Sequence, residues 1–184
     1  MANLITMARM ALIIPFIFAF LANAPWNMTV ALGIFVVASL TDFLDGYVAR
    51  ARGETSALGA ALDPLADKLL IAAAFILLVR NGVIMGFGVV AVIIIILREL
   101  FVSGMREALG AANQTLPVTM IAKWKTTAQL VAAGLLIAAA PTGIMGESLR
   151  PAASAALWIA AMLTLWTGTE YGIRAFKMLG ARPS

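Results

Sequence analysis

Cysteine and histidine are both missing from this 184-residue chain. Without cysteine there is no disulfide and no thiolate nucleophile or metal ligand. Without histidine the chain also lacks the side chain that most often moves protons near neutral pH and most often binds transition metals. Acid–base and metal chemistry is left to carboxylates, whose oxygens suit magnesium, manganese or calcium better than zinc. Charge is scarce too, at 12% of residues, against about 25% in ordinary soluble domains. Apolar residues take its place, at 62% of the sequence, and the mean hydropathy is +0.99. Such a chain is expected to fold in lipid. A membrane-crossing helix takes roughly 20 apolar residues, so the length holds about six spans and no separate soluble domain. Residues 1–184 are therefore read as one all-α, polytopic membrane domain. The first apolar stretch has no basic leader and no good cleavage motif near Asn23, Ala24, Pro25 and Trp26, so it is expected to be a retained span.

Apolar runs broken by Gly, Pro, Asn or charge place the spans near 4–22, 27–49, 61–80, 83–109, 120–140 and 150–178. Six crossings put both termini on one side. On that side fall Arg9, Arg50, Arg52, Lys68, Arg98, Arg106, Lys123, Lys125, Arg174, Lys177 and Arg182; the other side keeps only Arg80 and Arg150. By the positive-inside rule the cation-rich side is cytoplasmic. The turns on the opposite side, at 22–25, 81–82 and 141–146, read as plain connectors. The cytoplasmic connections at 51–56 and 110–117 adjoin nearly every ionisable group, so any chemistry is expected on that face. No internal repeat supports an inverted-repeat transporter.

Two acidic pairs stand in apolar helical sequence. Asp42 and Asp45 lie three apart near the end of the second span, and Asp63 and Asp67 four apart at the start of the third. On helices each pair projects from one face, about a turn apart. Four converging carboxylates in a partly dry site repel one another by several kcal/mol, on the order expected for close like charges at moderate dielectric. Divalent cations would neutralise them, and a pair of ions bridged by carboxylates is an arrangement that clamps a phosphoryl group. Gly46, Ala49 and Gly59 leave the acidic face bare enough for a bulky ligand, and Arg50 adds a guanidinium for a phosphate oxygen. Plainer readings stand beside these. Asp63 before Pro64 fits a helix N-cap, Gly46 and Gly59 fit close helix packing, and Arg50, Arg52 and Lys68 fit interfacial snorkelling. Structure alone does not explain all four aspartates, because each costs a few kcal/mol, to order of magnitude, inside a membrane helix.

Asp42, Asp45, Gly46, Ala49, Arg50, Gly59, Asp63 and Asp67 match D-x2-D-G-x2-A-R-x8-G-x3-D-x3-D, and in this the chain resembles the CDP-alcohol phosphotransferases. The segment from Asn3 to Arg9 resembles that family's N-terminal segment. Those around Ile96–Glu107 and Lys123–Gln129 resemble the corresponding segments of bacterial phosphatidylglycerophosphate synthases. The resemblance implies a six-span CDP-alcohol phosphotransferase fold, commonly dimeric, whose active site opens to the cytoplasmic leaflet of a bacterial plasma membrane. It implies CDP-diacylglycerol as donor, attacked at its β-phosphorus by an alcohol with release of CMP. It further implies two Mg2+ or Mn2+ ions on Asp42, Asp45, Asp63 and Asp67, a CDP site lined by Gly46, Ala49, Arg50 and Gly59, and Asp67 as general base. Asp63 competes with Asp67 for that last role.

For the acceptor, glycerol 3-phosphate brings a dianion that asks for cations beyond Arg50. Arg98, Arg106, Lys123 and Lys125 near the cytoplasmic ends of the fourth and fifth spans are candidates, with Thr126 and Thr127 as hydroxyl donors. Lys123 shares a helical face with Thr126 and Thr127, so Lys125 is expected to face elsewhere, and snorkelling is its plain reading. Glu99 and Glu107 are expected to pair with neighbouring arginines. Methionines and tryptophans need only lipid-facing and interfacial roles. Within the same chemistry the alternatives are a cardiolipin synthase or a phosphatidylinositol-phosphate synthase. From another class, a divalent-cation transporter would carry acidic or polar groups at mid-membrane depth. Expected partners are membrane lipids and a second copy of the chain; no nucleic acid is expected.

Overall fold

The computed structural model describes residues 2–52, 57–111, 114 and 120–180. Within its helices the side chains of 2–6, 42–52, 57–64, 67, 120, 122–123 and 179–180 lie outside the described residues. Its elements are α1 (Ala2–Leu21), α2 (Asn27–Arg52), α3 (Ala57–Arg80), α4 (Gly88–Ala111), α5 (Met120–Ala138), a 3-10 turn at Glu147–Leu149 and α6 (Arg150–Gly180), with no strand among the described residues. The architecture is all-α, as the unbroken apolar runs require.

Helix ends follow local chemistry. At the close of α3, Gly82 takes a positive φ of 70°, its N–H donates to Val79 O at 3.1 Å, and Val83 N–H donates to Leu78 O at 3.0 Å. This is a Schellman closure, which glycine adopts without the steric cost a side chain would bring. It carries the α3–α4 connection on to residue 87, so α4 begins at Gly88 rather than near 83. The sequence pattern missed this because residues 83–87 are mostly apolar and read as span.

Side-chain bonds tie three connections together. Asn81 Nδ2 donates to Phe20 O at 3.2 Å at the end of α1. Asn27 Nδ2 donates to Ala22 O at 2.9 Å, while Asn27 Oδ1 accepts from the hydroxyl of Thr142. Arg150 Nη2 donates to Gly82 O at 3.4 Å. The α1–α2, α3–α4 and α5–α6 connections therefore share one end of the bundle. The last turns of α2 and α4 and the first turns of α3 and α5 are at the other end, where the acidic pairs and most cations were expected.

Packing divides around α5. On one side α1 packs on α2 and α3, and α2 packs on α5. Phe16, Phe20 and Phe35 form the centre there, with Phe16 edge-on to Phe20 at 5.0 Å and 6.0 Å from Phe35. On the other side α6 packs on both α4 and α5, where Ala132, Ala133, Ala160 and Ala161 are buried and let the helices approach closely. Outside, large apolar side chains face the surroundings, among them Phe18, Phe87, Leu100, Met162 and Trp166, while Arg9, Arg98, Lys125 and Gln129 are inside. Apolar outside and polar inside is the distribution of a membrane protein. Among the described residues two helices, Gly88–Ala111 and Glu147–Met178, are long and apolar enough to cross a bilayer.

Candidate active site: acidic helix ends beside a buried cationic seam

The structure is helical through Asp42 and Asp45 on α2 and through Asp63 and Asp67 on α3, as their three- and four-residue spacing needs. Their side chains, and those of Gly46, Ala49, Arg50, Gly59 and Lys123, lie outside the described residues. Among the described residues no group of carboxylates is gathered for a metal. The donor set on these helix ends is entirely aspartate, hard oxygen chemistry that fits magnesium or manganese.

One residue past Asp67, Lys68 is half-buried and donates to the hydroxyl of Ser103 on α4. Ser103 Oγ in turn donates to Glu99 O at 2.8 Å. Lys68 is therefore a tie between α3 and α4, not a snorkelling lysine. It connects the acidic end of α3 to a polar seam between α4, α5 and α6.

Glu99 is the hub of that seam. Its Oε1 accepts from Arg98 Nη1 at 3.2 Å, from Gln129 Nε2 at 3.2 Å and from the ammonium of Lys125. The expected Glu99–arginine pairing is present, with a lysine added from the next helix, while Glu107 is exposed. Lys125 is only 5% exposed. The snorkelling reading of it is wrong, because α5 turns this side chain inward against α4 and the Glu99 carboxylate compensates its charge. Gln129 also donates to Thr164 Oγ1 at 2.8 Å, and Arg98 Nη2 to Thr167 Oγ1 at 2.9 Å. Arg106 Nη2 donates to Tyr171 OH at 3.2 Å. The Tyr171 ring has the Arg98 guanidinium carbon 5.8 Å from its centroid and that of Arg106 at 5.2 Å.

Arg98 reaches Thr167 by running across Gly168, where an added Cβ would sit 2.6 Å from Arg98 Cγ. Arg98 is 8% exposed, and its buried Nε–H has no acceptor among the described residues. Arg98, Arg106 and Lys125 set against Glu99 leave the seam net positive, the balance an anion would complete. Depth is the other correction. Arg98 lies near the middle of α4, about 20 Å from Ala111 at 1.5 Å per residue, and not at the helix end. Thr126 goes elsewhere, to the far side of α5, where it lines a small cavity with Arg9, Ser39 and Leu70. A larger cavity of about 570 Å³ lies between α4 and α6, with Arg98 the one charged side chain and Thr169 the one hydroxyl in a lining otherwise apolar, including Leu97, Phe101 and Phe176.

Thr164, Thr167, Gly168 and Tyr171 were not singled out from the sequence. Their i, i+3, i+4, i+7 spacing marks a polar stripe down one face of α6, a signal that was there to be read.

Comparison with known proteins agrees with the helix-end signature. Residues 1–166 match the family described as CDP-alcohol phosphatidyltransferase. The chain is 37% identical to the CDP-diacylglycerol–glycerol-3-phosphate 3-phosphatidyltransferase of Rickettsia bellii, over 92% of this chain and 91% of that relative. To the protein of the same name from Bacillus subtilis it is 37% identical, over 96% of this chain and 95% of the relative. To that of Cereibacter sphaeroides it is 36% identical, over 85% and 86%. The chain belongs to the CDP-alcohol phosphatidyltransferase family.

Proposed function

We propose that this protein transfers the phosphatidyl group of CDP-diacylglycerol to glycerol 3-phosphate, releasing CMP, and so makes phosphatidylglycerophosphate. The observation that carries the reading is its similarity, over most of its length, to relatives whose names state that reaction. The eight-position signature on α2 and α3 and the net-positive seam on α4, α5 and α6 support donor and acceptor respectively.

In this reading Asp42, Asp45, Asp63 and Asp67 hold two Mg2+ or Mn2+ ions. When bound, such ions offset pyrophosphate charge and make CMP a better leaving group. Gly46, Ala49 and Gly59 give the cytidine diphosphate access to the backbone, and Arg50 meets a phosphate oxygen. Asp67 takes the proton from the attacking hydroxyl. Arg98, Arg106, Lys123 and Lys125 receive the phosphate of glycerol 3-phosphate. Thr126, placed beside Arg9, belongs to this pocket only if the acceptor reaches across α5. An uncharged alcohol would leave the seam's excess positive charge without a purpose. A divalent-cation pathway gains nothing from it either, since the mid-helix polar groups carry more cations than carboxylates.

We assign all six helices as spans of a bacterial plasma membrane, with both termini and the active site on the cytoplasmic side and a homodimer as the assembly. With mid-helix Arg98 set aside, the other twelve cations divide ten to two in favour of that side, and three connections gather at the opposite end. The test is purified protein with labelled glycerol 3-phosphate, CDP-diacylglycerol and magnesium, followed by lipid extraction. Label in the lipid phase, with one CMP released per lipid formed, is expected. An unlabelled lipid phase together with incorporation of inositol phosphate or phosphatidylglycerol would reassign the acceptor.

A further inference from the structure

We propose that Tyr171 is a positioning residue for acceptor selection, holding the guanidinium groups of Arg98 and Arg106 together so that both face one phosphate. This rests on the reading of those arginines as acceptor ligands.

The sequence alone does not bring the two together. Eight residues separate them on α4, which is about 12 Å of rise and a difference of roughly 80° in direction. A phosphate can meet both heads only if something bends them to a common point. Tyr171 supplies that point from α6. Its hydroxyl accepts from Arg106 Nη2 at 3.2 Å, and its ring has both guanidinium carbons within 6 Å of its centroid, at 5.2 and 5.8 Å. The two charges therefore lie no further apart than the sum of these distances. A ring face attracts cations and softens the repulsion between them.

The surroundings fix this arrangement. Tyr171 is 3% exposed, so its ring is held by packing. One turn earlier, Gly168 leaves the channel through which Arg98 lies along α6. Arg98 spends Nη1 on Glu99 and Nη2 on Thr167, leaving Nε–H without an acceptor among the described residues. Arg106 spends Nη2 on the phenol. What remains is a pair of oriented, incompletely satisfied guanidinium groups, a recognition element for a phosphate dianion and not for a neutral alcohol.

The experiment uses the full chain in detergent micelles and compares Tyr171→Phe, Tyr171→Leu and Arg106→Gln, with KM measured separately for each substrate. Tyr171→Phe keeps the ring and removes the hydroxyl that accepts from Arg106. Its KM for glycerol 3-phosphate is expected to rise about tenfold, as for loss of a hydrogen bond to a charged group, with KM for CDP-diacylglycerol and the thermal midpoint unchanged. Tyr171→Phe combined with Arg106→Gln is expected to be no worse than Arg106→Gln alone, because both remove one bond. If Arg106→Gln raises the acceptor KM and Tyr171→Phe does not, the role given to Tyr171 is overturned while the acceptor pocket stands. If Arg106→Gln raises both KM values equally, the pocket itself fails. A Tyr171→Phe effect equal on both substrates, or confined to stability, would make the residue merely structural. Where Tyr171→Leu does not fold, Tyr171→Phe decides.

Discussion

The acidic ends of α2 and α3 and the cationic seam of α4, α5 and α6 solve opposite electrostatic problems. The first concentrates four carboxylates within a short stretch of sequence and, in the function proposed above, would take ions from solution to balance them. The second draws its charges from α4 and α5 and compensates them in part internally, through one carboxylate, an amide, two threonine hydroxyls and a phenol, leaving a net positive excess. Lys68 and Ser103 join the two regions. A region that borrows its counter-charge is expected to lose function without losing its fold when one member is changed. A region compensated from within is expected to lose both when its one carboxylate, Glu99, is changed.

The largest effect separates them at once. Asp67→Asn is expected to lower turnover by about 10²–10⁴-fold, as for loss of a general base, with the unfolding midpoint in detergent close to the parent's. Near-normal release of CMP would remove Asp67 from the chemistry. Glu99→Gln is expected to act on the fold, costing on the order of 3–5 kcal/mol because two buried cations lose their shared carboxylate. Adding Lys125→Met should recover most of that loss in denaturant titrations, and no recovery would mean that Glu99 is not the hub. Gly168→Ala comes next. Its new methyl lands on Arg98 Cγ, an overpacking cost of about 1–3 kcal/mol, and thermal unfolding should show the penalty disappear when Arg98 is shortened to Ala. Smallest is Asn81→Ala at the opposite end of the bundle, expected to cost about 0.5–1.5 kcal/mol, chiefly for the bond to Phe20 O, the exposed one from Arg80 adding little, and to leave the KM of both substrates unchanged.

The two regions were also unequally legible. The acidic pairs, their glycines and Arg50 lie in one stretch, so spacing alone exposed them. The helices were readable for a similar reason, since apolar runs and their breakers are local; α2, α3 and α6 begin and end within a few residues of expectation. The start of α4 slipped because Gly82 closes α3 through backbone bonds that an apolar sequence does not advertise. The seam was only half visible. Arg98, Arg106 and Lys125 stood out by charge, but sequence could not place Lys125 on Glu99, because that contact depends on how α5 rotates against α4. Thr164, Thr167 and Tyr171 were hidden by the apolar mass of α6, and their meaning comes from partners on other helices.

The bonds at Asn27, Asn81 and Arg150 have a mechanical consequence. They fasten three of the five connections at the end of the bundle away from the acidic pairs, which makes that end a base, while toward the other end Lys68 ties α3 to Ser103. Helices anchored at one end swing about it, and displacement grows with distance from the anchor. A long two-tailed molecule entering sideways from the bilayer would then part the helices more the further it lies from the base, with the base acting as the spring that closes them.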